Sequence, residues 1–325
     1  MISKKEIFSI KNEDNFNETA LKVFQFQYKN CEIYKRYVDL IKPKNYKPKQ
    51  YTEIPFLPIS FFKNHIVLNK NYTPNQFFQS SGTTKKALSK HYIATINWYE
   101  KSFIKTFELF FGNIKEYCFL ALLPSYSENA NSSLIYMVSS LMKISIHQSN
   151  GFYLYNHQDL INTLQKLKKE NQKTIVFGVS FSLLDFAEFS PPSFENLIYI
   201  ETGGMKGRKT EITKMELLNT LQNKLNSTKI FSEYGMTELF SQAYSLQNNI
   251  YTCPPWMKIL IRDSDDPFSF NENNSGGINI IDLANVHSCS FIETEDLGKK
   301  KSKTEFEIVG RMDTADIRGC SQLII

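Results

Sequence analysis

The chain has 325 residues, 42% of them hydrophobic and 14% aromatic, and a formal net charge of +5 at pH 7, so one large domain or two ordinary ones can bury an aromatic-rich core. Its lysines are scattered without a basic block, which argues against a nucleic-acid partner. No apolar run reaches membrane-spanning length, and the start Met1-Ile2-Ser3-Lys4-Lys5-Glu6 lacks the apolar segment of a signal peptide, so a cytoplasmic protein away from the membrane is expected.

Over residues 17–41, Leu21, Phe24, Tyr28, Cys31, Tyr34 and Val38 recur at spacings of three and four, the stripe of one amphipathic helix, which Pro43 and Pro48 end. The apolar strip 54–63 carries Pro55 and Pro58, so it reads as an extended crossing segment and not as a central strand. Phe77-Phe78-Gln79 leads into Ser80-Ser81-Gly82-Thr83-Thr84-Lys85-Lys86, and helical spacing returns over 95–110. Strands are then expected at 117–123, 143–146, 174–178, 196–201 and 228–231, with helices at 131–142, 157–170 and 211–225 and a helical turn at 181–186. Strands separated by helices imply βαβ units and a largely parallel sheet. From about 245 the helical spacing gives way to short β-prone runs at 257–262, 277–282, 289–293 and 305–309. The expected fold class is α/β, with a body over 1–244 and a small β subdomain over 245–325.

Five cysteines, Cys31, Cys118, Cys253, Cys289 and Cys320, contain no Cys-x-x-Cys pair, and the five histidines no ligand-spaced cluster. Neither a disulfide framework nor a zinc site is indicated. Two other stretches carry chemistry. Ser80-Ser81-Gly82-Thr83-Thr84 brings hydroxyls and backbone N–H groups around a close-approach glycine, as phosphate binding needs, but lacks the Gly-Lys-Ser/Thr ending of a Walker loop; it can equally be a polar loop. Ser232-Glu233-Tyr234-Gly235-Met236-Thr237-Glu238 offers Tyr234 to stack on a base, Thr237 to bind a phosphate oxygen and Glu238 to hold Mg²⁺; the alternative is a loop in which Thr237 caps a helix starting at Glu238.

Together, Ser80 to Thr84 and Tyr234 to Glu238 resemble the phosphate loop and the adenine and Mg²⁺ motif of the adenylate-forming superfamily. Thr294-Glu295-Asp296-Leu297-Gly298 is similar to its Thr-Gly-Asp-Leu, and Gly310-Arg311-Met312-Asp313 to its hinge motif. The strip Pro55 to Lys63, Ser89-Lys90-His91, Glu201-Thr202-Gly203-Gly204-Met205-Lys206-Gly207-Arg208 and Asp316-Ile317-Arg318-Gly319-Cys320 resemble the LuxE-type acyl-protein synthetases.

The resemblance implies ATP and Mg²⁺ as cofactors and a carboxylic acid, fatty in this branch, as substrate. The acid is activated as its adenylate and passed to a thiol, with an acyl reductase or acyltransferase as partner. It assigns Ser80, Ser81, Gly82, Thr83, Thr84, Thr237 and Arg311 to the nucleotide, Asp296 to the ribose and Glu238 to the metal. Tyr234 and Gly235 go with the adenine motif, and Gly203 and Gly204 let backbone lie against adenine or substrate.

Cys320 would be the acyl acceptor; a small core cysteine is the other reading. Lys85 and Glu295 stand where the superfamily has glycines. The chain ends near the hinge motif, so the C-terminal lid is expected to be absent, and Lys206, Lys85 or a partner would supply its lysine's charge. A phenylacetate-type acyl-CoA ligase and a degenerate nucleotide- or acyl-binding module are the rival readings.

Overall fold

The computed structural model describes residues 2–80, 88–125, 128–203, 212–263, 266, 268–270 and 275–312. Its strands are β1 (Leu57–Pro58), β2 (Phe77–Gln79), β3 (Lys90–Tyr92), β4 (Cys118–Leu122), β5 (Gly151–Phe152), β6 (Thr174–Val179), β7 (Leu197–Thr202) and β8 (Ile230–Tyr234), followed by β9 (Ala243–Ser245), β10 (Ile250–Thr252), β11 (Met257–Arg262), β12 (Ser275–Asp282), β13 (Phe291–Lys300) and β14 (Glu305–Arg311). One 12-stranded sheet runs in the order β11-β12-β13-β14-β10-β9-β8-β7-β6-β4-β5, with β1 added beside β13; β2 and β3 form a separate hairpin. Strands β5, β4, β6, β7 and β8 are parallel. From β9 onward every neighbour on the sheet's main path is antiparallel.

The parallel strands are apolar throughout because helices cover both faces: every residue of β4 and β6 is buried. On one face the helices His157–Lys169, Ser180–Ala187 and Lys214–Leu225 bury a leucine-rich cluster that includes Leu160, Leu164, Leu217 and Leu221. On the other, Ile96–Phe111, Ser133–Ser145 and the N-terminal helices close over a larger aromatic core that continues under the antiparallel strands. The sheet and its core therefore cross residue 245 without a break.

Two elements differ from the sequence expectation. The stripe at 17–41 belongs to two helices, Glu13–Asn30 and Glu32–Ile41, parted at Cys31, whose backbone is extended. Phe24, Cys31, Tyr34 and Val38 are all buried, so the apolar spacing runs through the break and hides it. Residues 143–146 are no strand: the helix Ser133–Ser145 continues, and Ile146 ends it in the left-handed region at φ 58°. The buried stripe through Met142 and Ser145 outweighs the β propensity of Ile144 and Ile146, and the neighbouring strand is β5. Among the described residues no helix is long and apolar enough to cross a membrane.

Candidate functional site

The carboxyl ends of β6, β7 and β8 form one edge of the parallel half, where ligands gather in open α/β sheets. At the end of β8 the chain turns at Met236–Leu239, with Leu239 N–H on the Met236 carbonyl at 3.1 Å. No helix starts at Glu238. The amides that would open one are taken by Asp282, a fully buried carboxylate on β12: Phe240 and Ser241 N–H donate to its Oδ2 at 2.7 and 2.9 Å, and Ser241 Oγ donates to Oδ1 at 2.6 Å. The helix-cap alternative for Thr237 is thereby removed. The turn is instead an irregular loop fixed from behind.

The hairpin β2–β3 brings Ser80 to the same edge. Ser80 N–H donates to the Ser89 carbonyl at 3.1 Å, and Ser89 N–H to Ser80 Oγ at 3.0 Å, closing the ladder beyond Gln79 and Lys90. His91, on β3 and fully buried, faces the Thr237 carbonyl with Nδ1 at 2.9 Å and Asn285 Oδ1 with Nε2 at 3.1 Å. The Asn285 amide nitrogen is committed to the carbonyls of Glu238 and Cys289, both at 2.9 Å. Both imidazole nitrogens thus face acceptors. Burial pushes the His91 pKa down to about 4, so at neutral pH the ring carries a single N–H and donates to one of the two acceptors at a time, the tautomer deciding which. Glu238 is only 4% exposed; burial lifts its pKa, opposed by the Ser89 hydroxyl and by the charges of Lys63 and Arg311.

Tyr234, Asp296 and Arg311 meet beside this turn. Tyr234 is buried edge-on against Tyr251 and Phe306, and its hydroxyl donates to Asp296 Oδ2 at 2.8 Å. Asp296 lies opposite Arg311 in the β13–β14 register, its Oδ1 at 3.8 Å from Arg311 Nε. Burial raises the Asp296 carboxyl, and the Tyr234 hydroxyl and Arg311 oppose the rise. Glu295, the residue in place of the superfamily glycine, reaches Arg311 at 3.4 Å with one carboxylate oxygen and Lys63 at 3.8 Å with the other.

A second polar group sits under the ends of β6 to β8, and the sequence reading missed it. The fully buried Glu201 accepts from Ser180 Oγ and is paired with Lys214 Nζ. Ser180 Oγ also lies 2.9 Å from the carbonyl of Gly203, whose φ of +77° is a backbone turn that suits glycine. On the opposite face of the sheet Glu233 accepts from the Thr202 hydroxyl, and burial raises its pKa to about 7. Gly235 belongs to this packing, since a Cβ there would come within 2.3 Å of Glu233 Oε1. Ionisable residues closing apolar strands, Glu201 and Glu233, were the signal available in the sequence.

The structure therefore gathers Ser80, Tyr234, Gly235, Thr237, Glu238, Asp296 and Arg311 around one sheet edge, with Gly203 at the end of β7 along it. Ser81, Gly82, Thr83, Thr84, Lys85, Gly204, Lys206, Arg208 and Cys320 lie outside the described residues. No cluster of three or more His, Cys, Asp or Glu side chains able to hold a metal occurs among the described residues. A divalent ion at Glu238 would accordingly draw its other ligands from water and phosphate, the habit of Mg²⁺. The near-buried carboxylate fits that use, because a cation beside it relieves the desolvation that lifts its pKa. Cys31, Cys118, Cys253 and Cys289 are all buried, with thiol pKa values raised by burial, that of Cys118 to about 12.

A family model described as acyl-protein synthetase, LuxE, matches residues 6–325. No curated protein sequence matches the chain. Among solved structures, a 2-hydroxyisobutyryl-CoA ligase in complex with 2-HIB-AMP and CoA in the thioesterification state is similar, with TM-score 0.68 at 13% identity over 93% of this chain and 68% of that one. ATP-bound MatB from Rhodopseudomonas palustris is similar with TM-score 0.54 at 14% identity, over 72% of this chain and 47% of that one. An ATP-bound RpMatB-BxBclM chimera gives TM-score 0.56 at 13% identity over the same shares. The chain thus spans about half the length of these MatB structures. At such identities the likeness is one of fold, and the fold is that of adenylate-forming enzymes.

Proposed function

Because the chain belongs to the LuxE family of acyl-protein synthetases, we propose that it activates a carboxylic acid, a fatty acid in the family reading, as the acyl-adenylate and passes the acyl group to a thiol. The observation that carries the first step is the convergence of Glu238, Asp296 and Arg311 with the Ser80 hairpin on one sheet edge. In that step a carboxylate oxygen of the acid forms a bond to the α-phosphorus of ATP, the bond from that phosphorus to the bridging oxygen of the β-phosphate breaks, and the electron pair leaves on pyrophosphate.

The chain's part is positioning and charge neutralisation, which such transfers chiefly require. Ser80 and the hydroxyl-rich residues 81–84 after it would hold phosphate oxygens, with Thr237 beside them. Asp296, oriented by the Tyr234 hydroxyl, would accept from the ribose hydroxyls. Bound at Glu238, Mg²⁺ would neutralise phosphate charge. The Tyr234 ring is engaged by Tyr251 and Phe306, so we assign the side chain's contribution to its hydroxyl and one ring edge.

For the second step we propose Cys320 as acceptor, with Arg318 two residues before it to favour the thiolate: the deprotonated sulfur bonds the acyl carbon, the bond from that carbon to the adenylate's phosphate oxygen breaks, and AMP leaves with the electron pair. The four described cysteines support this reading, since burial holds each thiol protonated. In the same reading Lys206, Lys85 or a partner would supply the charge of the lid lysine, and Gly204 would let the backbone lie against adenine or substrate. An acyl reductase or acyltransferase is the kind of partner that would take the product.

Exchange of labelled pyrophosphate into ATP, run across a panel of acids, tests the first step. Glu238→Gln is expected to lower exchange about 100-fold, the scale of losing one charge-stabilising group; unchanged exchange would remove Glu238 from the site. Cys320→Ser is expected to keep exchange and lose a hydroxylamine-labile acyl label on the protein. A label that persists would place the thiol elsewhere, and acyl-CoA formed on adding coenzyme A would favour the ligase alternative.

A further inference from the structure

The strip Pro55 to Lys63 has no part in the reaction as described, yet its last residue lies at the site. Ile59 N–H donates to the Glu293 carbonyl at 2.9 Å, and β1 pairs in parallel with Ile292 and Glu293, so the strip is laid along the strand that carries Glu295 and Asp296. A short helix, Phe61–Asn64, follows. Its buried Phe62 packs edge-on against His91 at 5.6 Å, the same side chain that faces the Thr237 carbonyl. Two independent anchors, β13 and His91, thereby fix the backbone from which Lys63 extends.

Lys63 Nζ stands 3.8 Å from Glu295 Oε1, and its charge lowers the pKa of the Glu238 carboxyl, as does that of Arg311. Glu295 holds Lys63 through one oxygen and Arg311 through the other. The pair is loose and partly exposed, with the Lys63 side chain 37% and Glu295 26% accessible, so little energy binds the ammonium to its present partner. A lysine is a compact charge on a flexible stem, suited to moving a short way onto a phosphate oxygen.

We propose that Lys63 contacts the nucleotide during adenylation, leaving Glu295 for the β- and γ-phosphates and neutralising the charge that develops on pyrophosphate as it departs. Glu295, which takes the place of a glycine in the superfamily motif, is then the parking partner that holds Lys63 and Arg311 close together before ATP enters. This rests on the reading of the sheet edge as an adenylation site.

The test compares Lys63→Met, which keeps length and removes charge, with Lys63→Arg and the parent. Pyrophosphate exchange is measured, together with calorimetric affinities for ATP with Mg²⁺, for pyrophosphate and for AMP. Lys63→Met is expected to lower exchange about 100-fold and to weaken ATP and pyrophosphate about tenfold, roughly the loss of one charged hydrogen bond. AMP affinity should stay unchanged, and Lys63→Arg should keep most of the exchange.

A merely structural lysine would weaken AMP and ATP alike, and that result overturns the proposal; so does exchange by Lys63→Met within twofold of the parent. If the parent binds ATP but exchanges with no acid, the adenylation reading fails, and the ATP-against-AMP comparison still decides whether Lys63 meets phosphate. If the parent binds neither nucleotide, both fall together.

Discussion

Glu233 shows how one buried side chain ties stability to pH. It is the last but one residue of β8, opposite Tyr244 in the β8–β9 register; its charge raises the pKa values of Tyr99 and Tyr244, and Thr202 is its hydrogen-bond donor. Two other charged groups act on it, Glu201 raising and Lys214 lowering its pKa, but burial dominates and sets the value at about 7 against an ordinary 4.5. The folded chain therefore holds this proton more tightly than the unfolded chain. The stability it contributes is fully present below about 4.5 and is lost as pH rises through about 7, a decline on the order of 3 kcal/mol. Glu233→Gln keeps the shape and an acceptor for Thr202 without a titrating proton, so its urea midpoint should fall less between pH 5 and pH 8 than the parent's. Equal slopes in the two proteins would assign the pH dependence to another group.

At the scale of elements, the hairpin β2–β3 and the turn after β8 move as one unit if His91 joins them. Its ring packs against Phe62 and Phe240 and reaches the Thr237 carbonyl and Asn285. His91→Phe preserves the packing and removes the ring N–H, leaving the buried acceptor it served unpaired at a cost of about 1–3 kcal/mol. We expect this variant to remain folded well below its melting temperature and to raise the KM for ATP several-fold, because Ser80 and Glu238 are no longer held in register. An unchanged KM would show that β2–β3 is placed by its own ladder alone. This joint was illegible in the sequence, although both of its halves were visible. The hydroxyl-rich loop and the Tyr234 to Glu238 turn announce themselves through glycine and side-chain chemistry, and the long buried strands through apolar runs. A histidine 146 residues from its partner carries no periodicity. The break at Cys31 was hidden for a related reason: apolar spacing reports which face is buried and says nothing of whether the backbone bends.

Across the whole molecule, the N-terminal helices hold up the site from behind, although residues before about 50 carry no motif. Gln27, on the helix Glu13–Asn30 and nearly inaccessible, donates from Nε2 to the carbonyls of Asn285 and Val286 at 2.9 Å and to Ser290 Oγ at 3.1 Å, and its Oε1 accepts from Ser290 N–H at 3.0 Å. Asn285 in turn fixes the Glu238 carbonyl and His91, so a chain of buried polar groups runs from the first long helix to the turn at the end of β8. The helix Lys4–Phe8 adds a second tie, Phe8 touching the rings of both Trp98 and Trp256, while Trp256 Nε1 donates to Ser241 Oγ at 2.9 Å. With the sheet unbroken from β5 to β11, the parallel and antiparallel halves should unfold together. Tryptophan fluorescence and far-UV circular dichroism are then expected to give coincident urea transitions. Gln27→Leu strands several buried carbonyl and N–H groups at once, which at about 1–3 kcal/mol each should lower stability by at least about 3 kcal/mol. The decisive point is cooperativity. The variant should lose stability in a single earlier transition seen by both probes, whereas two separated transitions would mean that the segment beyond residue 245 folds as a unit of its own.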